Sequence, residues 1–307
     1  MRYTVDKRLI RFENIEEIRK RPAFRDEIAA TSAIPKEAIG VYRFPKDAQE
    51  QCGLSNCRTS HMNGFVVAME SGEETLIGCD CGAKKMGLAF QEIINRAQLA
   101  DRIQGYRDAI VAALANADTF NEQLTDLLDR QYGAKWLGKR MVDCSSTLPS
   151  EANSVIRRMA RRQETNVFES VPMTDKEVAI ARETGALPKG QPGPYYRHEK
   201  VGEIVGLEIW QTDLRALLID DLQQGIRSLQ ALDVASIRSE YTLRNHARWV
   251  DEIPGKLLDA ERVILAGSKF FNGKNLQLLK RLSTTEREIK GLAGAVDALI
   301  SRSEVNR

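Results

Sequence analysis

Cysteine and histidine are scarce in this chain, at five and three of 307 residues. So few cysteines exclude the dense disulfide scaffold of small secreted domains. Aromatic residues make up only 6%, against 29% charged and 42% hydrophobic, a balance that suits long, surface-rich helices better than a compact sandwich or barrel. No charge of one sign dominates. A net charge of +2 does not by itself imply a polyanionic partner, so any basic binding surface has to be local. No apolar run approaches the roughly 18 residues of a membrane span, which argues against a membrane partner. The opening MRYTVDKRLIRF has no apolar signal core, and we expect a reducing, cytoplasmic location. Phosphate-cradling loops of the forms G-x-x-x-x-G-K-[ST] and G-x-G-x-x-G are absent, as are the G-x-S-x-G elbow and the H-x-E with P-C-x-x-C of zinc deaminases.

Four of the five cysteines lie together, and the fifth, Cys144, has no nearby partner in the sequence. Cys52, Cys57, Cys79 and Cys81 fall within thirty residues with His61 among them, as C-x4-C-x3-H-x17-C-x-C. Between the halves runs GFVVAMESGEETLIG, a β-hairpin by alternation, turning at Glu70-Ser71-Gly72-Glu73. Soft ligands at short spacing on both sides of a hairpin suit a tetrahedral Zn²⁺ site. CGLSNC supplies a knuckle and CDCGAKKMG opens a helix. In that order of parts the module resembles a treble-clef finger, a fold group that does not fix function.

Five donors compete for four positions. Cys52 and Cys57 are the firmest pair, and Cys81, beside Gly82, is the third. One residue between Cys79 and Cys81 is a tight bite for a single ion, so His61 is preferred as the fourth, with Cys79 as a substitute. Reduced cysteines that merely fill a small core, or an iron–sulfur cluster, are the alternatives. A site closed by four protein ligands points to structure and away from catalysis.

The rest of the sequence reads as architecture, mainly α with this small α+β module. Residues 1–50 form an N-terminal helical element around ENIEEIRKR, with Asn14 as N-cap and Glu17 three residues on. The module occupies 51–87. Over 88–131 a long heptad helix is expected, because Ile103, Tyr106, Ile110, Ala113, Ala117, Phe120, Leu124 and Leu127 follow steps of three and four. Residues 132–210 read as a linker with a short basic helix from Ser150, a capping box at Thr174 and Glu177, and a possible strand pair in KVGEIVGLEIW. From 211 to 307 the chain is helical again, with seams Leu218-Leu222-Gly225-Leu229-Leu232 and Leu282-Thr285-Ile289-Leu292-Val296-Leu299, separated near Pro254 and Gly267–Gly273. Coiled-coil-type pairing of such seams would allow a homodimer.

Arg157, Arg158, Arg161 and Arg162 share one face of the basic helix. Four guanidiniums together repel one another unless an anion neutralises them, and their fork matches phosphate oxygens. A second basic stretch, Lys135, Lys139 and Arg140, flanks Trp136, which either stacks on a base or anchors a core. The leading expectation is therefore a non-enzymatic zinc-finger and coiled-coil protein that binds nucleic acid. A protein–protein adaptor comes second, and a metal-dependent nuclease, which would need a free histidine at His61, third.

Overall fold

The computed structural model describes residues 9–31, 33–188, 190–282 and 286–304. Contacts group the chain into two compact units, Met1–Ala113 with Asp233–Val250, and Leu114–Leu232 with Asp251–Arg307.

In the first unit, strand β1 (Ile10–Phe12) is followed by the short helix α1 (Ile15–Arg19), whose N-cap Asn14 accepts from the Glu17 amide. Then come β2 (Pro35–Arg43), the two-residue strands β3 (Glu50–Gln51) and β4 (Ser60–His61), and the hairpin β5 (Asn63–Met69) and β6 (Glu74–Gly78). Four strands form one sheet in the order β1-β2-β5-β6, with β1 parallel to β2 and the other pairs antiparallel. The hairpin sequence is apolar on both faces because the sheet is covered on both. Phe65, Val67, Met69 and Ile77 pack with Phe90, Ile94 and Ala97 of helix α2 (Cys79–Ala115), while Val66 and Leu76 pack with Phe12, Ile18, Phe24 and Tyr42.

The second unit contains α3 (Ala117–Asp129), α4 (Ala134–Thr147), α5 (Ser150–Arg162), strand β7 (Asn166–Pro172), α6 (Asp175–Glu183), strand β8 (Tyr196–Glu203), a 3₁₀ turn (Leu207–Trp210), a π-wound stretch (Ala216–Gln223) and α7 (Gln224–Gln230). A second 3₁₀ turn (Val234–Ser236) belongs to the first unit. Helices α8 (Glu240–Phe270), α9 (Gly273–Leu279) and α10 (Glu286–Glu304) complete the chain.

Mainly helical composition with a small sheet is as expected, but several boundaries are not. Residues 1–50 hold a five-residue helix, and the stretch beyond it is the longest strand of the sheet, because Val41 and Tyr42 bury on opposite faces of it. The expected hairpin turns at the expected residues, yet it is the half of a four-stranded sheet that continues through β2, not a free-standing finger hairpin. The heptad stretch is two helices that break at Asn116, and all eight seam residues are buried or half-buried within the chain itself. KVGEIVGLEIW does not form a strand pair with itself: its start belongs to β8, which pairs with β7, and LEIW is a 3₁₀ turn.

Leu218, Leu222, Ile226 and Leu229 are buried where Gly225 stood in the expected seam, because π winding adds a residue per turn and slides the face by one position. Pro254 lies inside α8, where burial of Val250, Ile253 and Leu257 around it holds the helix through the lost hydrogen bond. Leu292, Val296 and Leu299 are buried on α10, whereas Thr285 lies outside the described residues. The capping box at Thr174 and Glu177 forms as expected.

One charged cluster was not legible. Asp101, on α2, has a buried carboxylate that accepts from Arg11 Nε at 2.7 Å and Arg43 Nη2 at 2.8 Å. Asp101→Asn is expected to lower stability in urea unfolding. The arginines are half-exposed or more, so solvent screening keeps the loss near 1–2 kcal/mol. An unchanged midpoint would show that the cluster contributes nothing.

Candidate metal centre

The knuckle is built on the sheet. The Gly53 amide donates to Leu76 O of β6 at 2.7 Å, the Cys52 amide to Thr59 O at 3.0 Å, and the Cys57 amide to Leu54 O at 2.9 Å. Leu54 is fully buried and fixes the turn, and a Cβ at position 53 would come within 1.8 Å of Thr75 Oγ1, so glycine is required there. Across from the knuckle, β6 runs directly into α2, which sets Cys79 and Cys81 at the helix start. Gly82 then leaves room for the Phe90 ring, which a Cβ would meet at 2.1 Å. Phe90 reaches back because α2 kinks at Gly87, whose φ of 66° and ψ of −147° belong to backbone that only glycine adopts readily.

These constraints bring Cys52, Cys57 and Cys81 together, with the three sulfurs all within 4.8 Å of one another. One ion can touch all three. Cys52 is buried and the other two half-buried. Burial pushes the Cys52 thiol up to about 12 and also raises Cys81, while the Thr59 hydroxyl, 3.4 Å from Cys57 Sγ, brings Cys57 down to about 7. A thiolate is thus most readily formed at Cys57, and a cation at the centre would favour the charged form of all three.

The other two candidates lie outside this group. Cys79 is half-buried and packs against the apolar core, which raises its thiol pKa. His61 turns its Nδ1 to the Tyr42 hydroxyl, 2.9 Å away, and burial lowers its pKa, favouring neutral imidazole. Tyr42 and Thr59 are the neighbours that sequence reasoning missed. Neither residue type is a usual zinc ligand, but Gly64 and Gly78 inside apolar strands were a usable signal of close approach.

The basic residues divide. Arg157, Arg158, Arg161 and Arg162 are all exposed on α5, opposite the buried face of Ala152, Ile156, Met159 and Ala160. Arg157 lies over the Trp210 ring at 5.4 Å, and Arg162 meets Glu164 at 3.7 Å. Among the described residues, Arg157, Arg158 and Arg161 have no carboxylate partner. Lys139 is exposed and Lys135 pairs with Asp129. Arg140 does not face solvent. It is 3% exposed, donates to Leu299 O at 2.8 Å and stacks on Trp136 and Phe271, because the period of α4 points it inward with Leu137 and Cys144. Trp136 is a core anchor, edge-on to Tyr132 and Phe271.

Fold and site together define a mainly helical protein with a small sheet, beside which three cysteines lie close enough that they could hold one metal ion. No helix among the described residues is long and apolar enough to cross a membrane. No known protein family, curated protein or solved structure matches the chain.

Proposed function

We propose that this chain is a non-enzymatic zinc protein that binds nucleic acid through the arginine face of α5. Zinc suits the donor set, since three clustered thiols in a cysteine-poor chain favour a soft, redox-inert ion. The ion would tie knuckle to helix start in a treble-clef manner and stabilise the first unit. The single observation behind the nucleic-acid reading is the exposed α5 face, where Arg157, Arg158 and Arg161 have no carboxylate partner among the described residues. Clustered guanidiniums on an exposed helix face repel one another mildly, an anion relieves that repulsion, and phosphates fit the guanidinium fork. Lys139 remains available to extend it, and Arg140 does not. A protein–protein adaptor is the second reading; the residues of the first heptad seam are buried or half-buried within the chain.

A salt series tests this proposal. Four phosphate contacts on duplex DNA predict a slope of log affinity against log salt near −3.6, and so about a 100-fold loss between 50 and 200 mM. The Arg157/Arg158/Arg161/Arg162→Ala variant should lose most of the affinity and most of the slope. No binding at low salt, or the same slope in the variant, sinks the reading.

A further inference from the structure

The fourth ligand can be argued from one atom. His61 Nε2 is fully shielded from solvent and has no hydrogen-bond partner, although it is a strong polar atom. Its ring is held in place by specific construction. Gly64 and Gly78 pair directly across β5 and β6. A Cβ on Gly64 would strike Tyr42 Oη at 2.4 Å, and one on Gly78 would strike His61 Cδ2 at 2.6 Å. The two glycines thus clear a floor for the Tyr42–His61 pair, whose hydroxyl-to-Nδ1 bond is 2.9 Å. Tyr42 is 1% exposed, so water does not compete for that bond.

The register of the small ribbon points the same way. Glu50 pairs with His61 and Gln51 with Ser60, so the next rung is Cys52 with Thr59. Side chains alternate along a strand, which puts His61, Thr59 and Cys52 on one face. Thr59 already touches Cys57 there. His61 is one diagonal step from Cys52, about 7–8 Å between backbones, a distance an imidazole spans.

We propose that His61 Nε2 is the fourth ligand of the ion held by Cys52, Cys57 and Cys81, and that Tyr42 is the positioning residue that makes it so. The proposal rests on the metal reading above. Either ring tautomer satisfies Nδ1, but only the one that donates Nδ1–H to the Tyr42 oxygen leaves a lone pair on Nε2. Metal-bound histidines are held in this way by a partner on the other nitrogen. Neither ring nitrogen lies within 4.8 Å of all three sulfurs, so ligation requires the knuckle and the Tyr42–His61 pair to close on one another, with the Tyr42 bond to Nδ1 kept. Cys79 is the rival, and its sulfur also lies outside the group of three, but a thiol is a weak hydrogen-bonding group that can stay buried without a partner, whereas an imidazole nitrogen is not so readily left unmet.

The test uses the full chain, ¹⁵N-labelled and loaded with ¹¹³Cd²⁺. Expected are one equivalent of metal, scalar coupling from ¹¹³Cd to His61 Nε2, and a proton on Nδ1. Tyr42→Phe should weaken metal binding about 10–100-fold. One equivalent bound without imidazole coupling overturns the assignment of His61 and leaves the metal reading standing, and a Cys79→Ser change in the cadmium shift would then name the replacement. No metal bound overturns both. A proton on Nε2 in the wild-type protein, or unchanged affinity in Tyr42→Phe, removes the role of Tyr42.

Discussion

Cys81→Ser is expected to abolish tight metal binding by the purified protein, where the wild type is expected to carry one equivalent. Three sulfurs lie within 4.8 Å of one another, and removing one leaves two thiolates and an open side to the ion. The loss should exceed 100-fold in affinity and be accompanied by lower thermal stability. An ion held at about 1,000 times its Kd adds about 4 kcal/mol by mass action, and that contribution disappears with the site. Chelation of the wild type should reproduce the variant's melting curve, and affinity should fall as pH drops because each thiol must shed its proton. Retention of one tightly held equivalent by Cys81→Ser would falsify the assignment.

Phe90→Ala should have the largest effect on the fold. The ring is fully buried against Gly82 and in the same cluster as Cys52, Leu54, Phe65 and Ile77. Truncation is expected to cost about 3–5 kcal/mol, read as a fall in urea midpoint. Gly87→Ala should cost about 1–3 kcal/mol by forcing a Cβ into backbone geometry reserved for glycine. Both changes loosen the helix start that carries Cys81, so both should weaken metal binding without touching a ligand. Leu88→Ala is the control. It sits between the two but is 85% exposed, and should shift the midpoint by less than about 0.5 kcal/mol. Equal effects at positions 88 and 90 would refute the packing argument.

The candidate site was partly legible because ligand chemistry is local. Cys52, Cys57 and Cys81 could be named from spacing, since a knuckle and a helix start are short-range structures. Tyr42 could not, because it enters from a strand, 19 residues before His61, that composition presented as a loose stretch. Asp101 was hidden for the same reason: its partners Arg11 and Arg43 come from β1 and β2. Arg140 was misread because a cation in a basic stretch looks exposed until the helix phase is known, and here stacking on Trp136 and Phe271 stabilises it inside.

The amino-acid sequence alone determined the helical class, the hairpin and its turn, the capping box at Thr174, the three clustered thiols and the arginine face of α5, because each depends on residues within a few positions of one another. Tertiary structure decided the rest. It joined β1 and β2 to the hairpin and broke the heptad run at Asn116. It slid the seam by one residue at the π-wound stretch, and it set Tyr42 against His61. Those outcomes depend on which distant apolar faces meet, and periodicity records that a face is buried without recording what covers it.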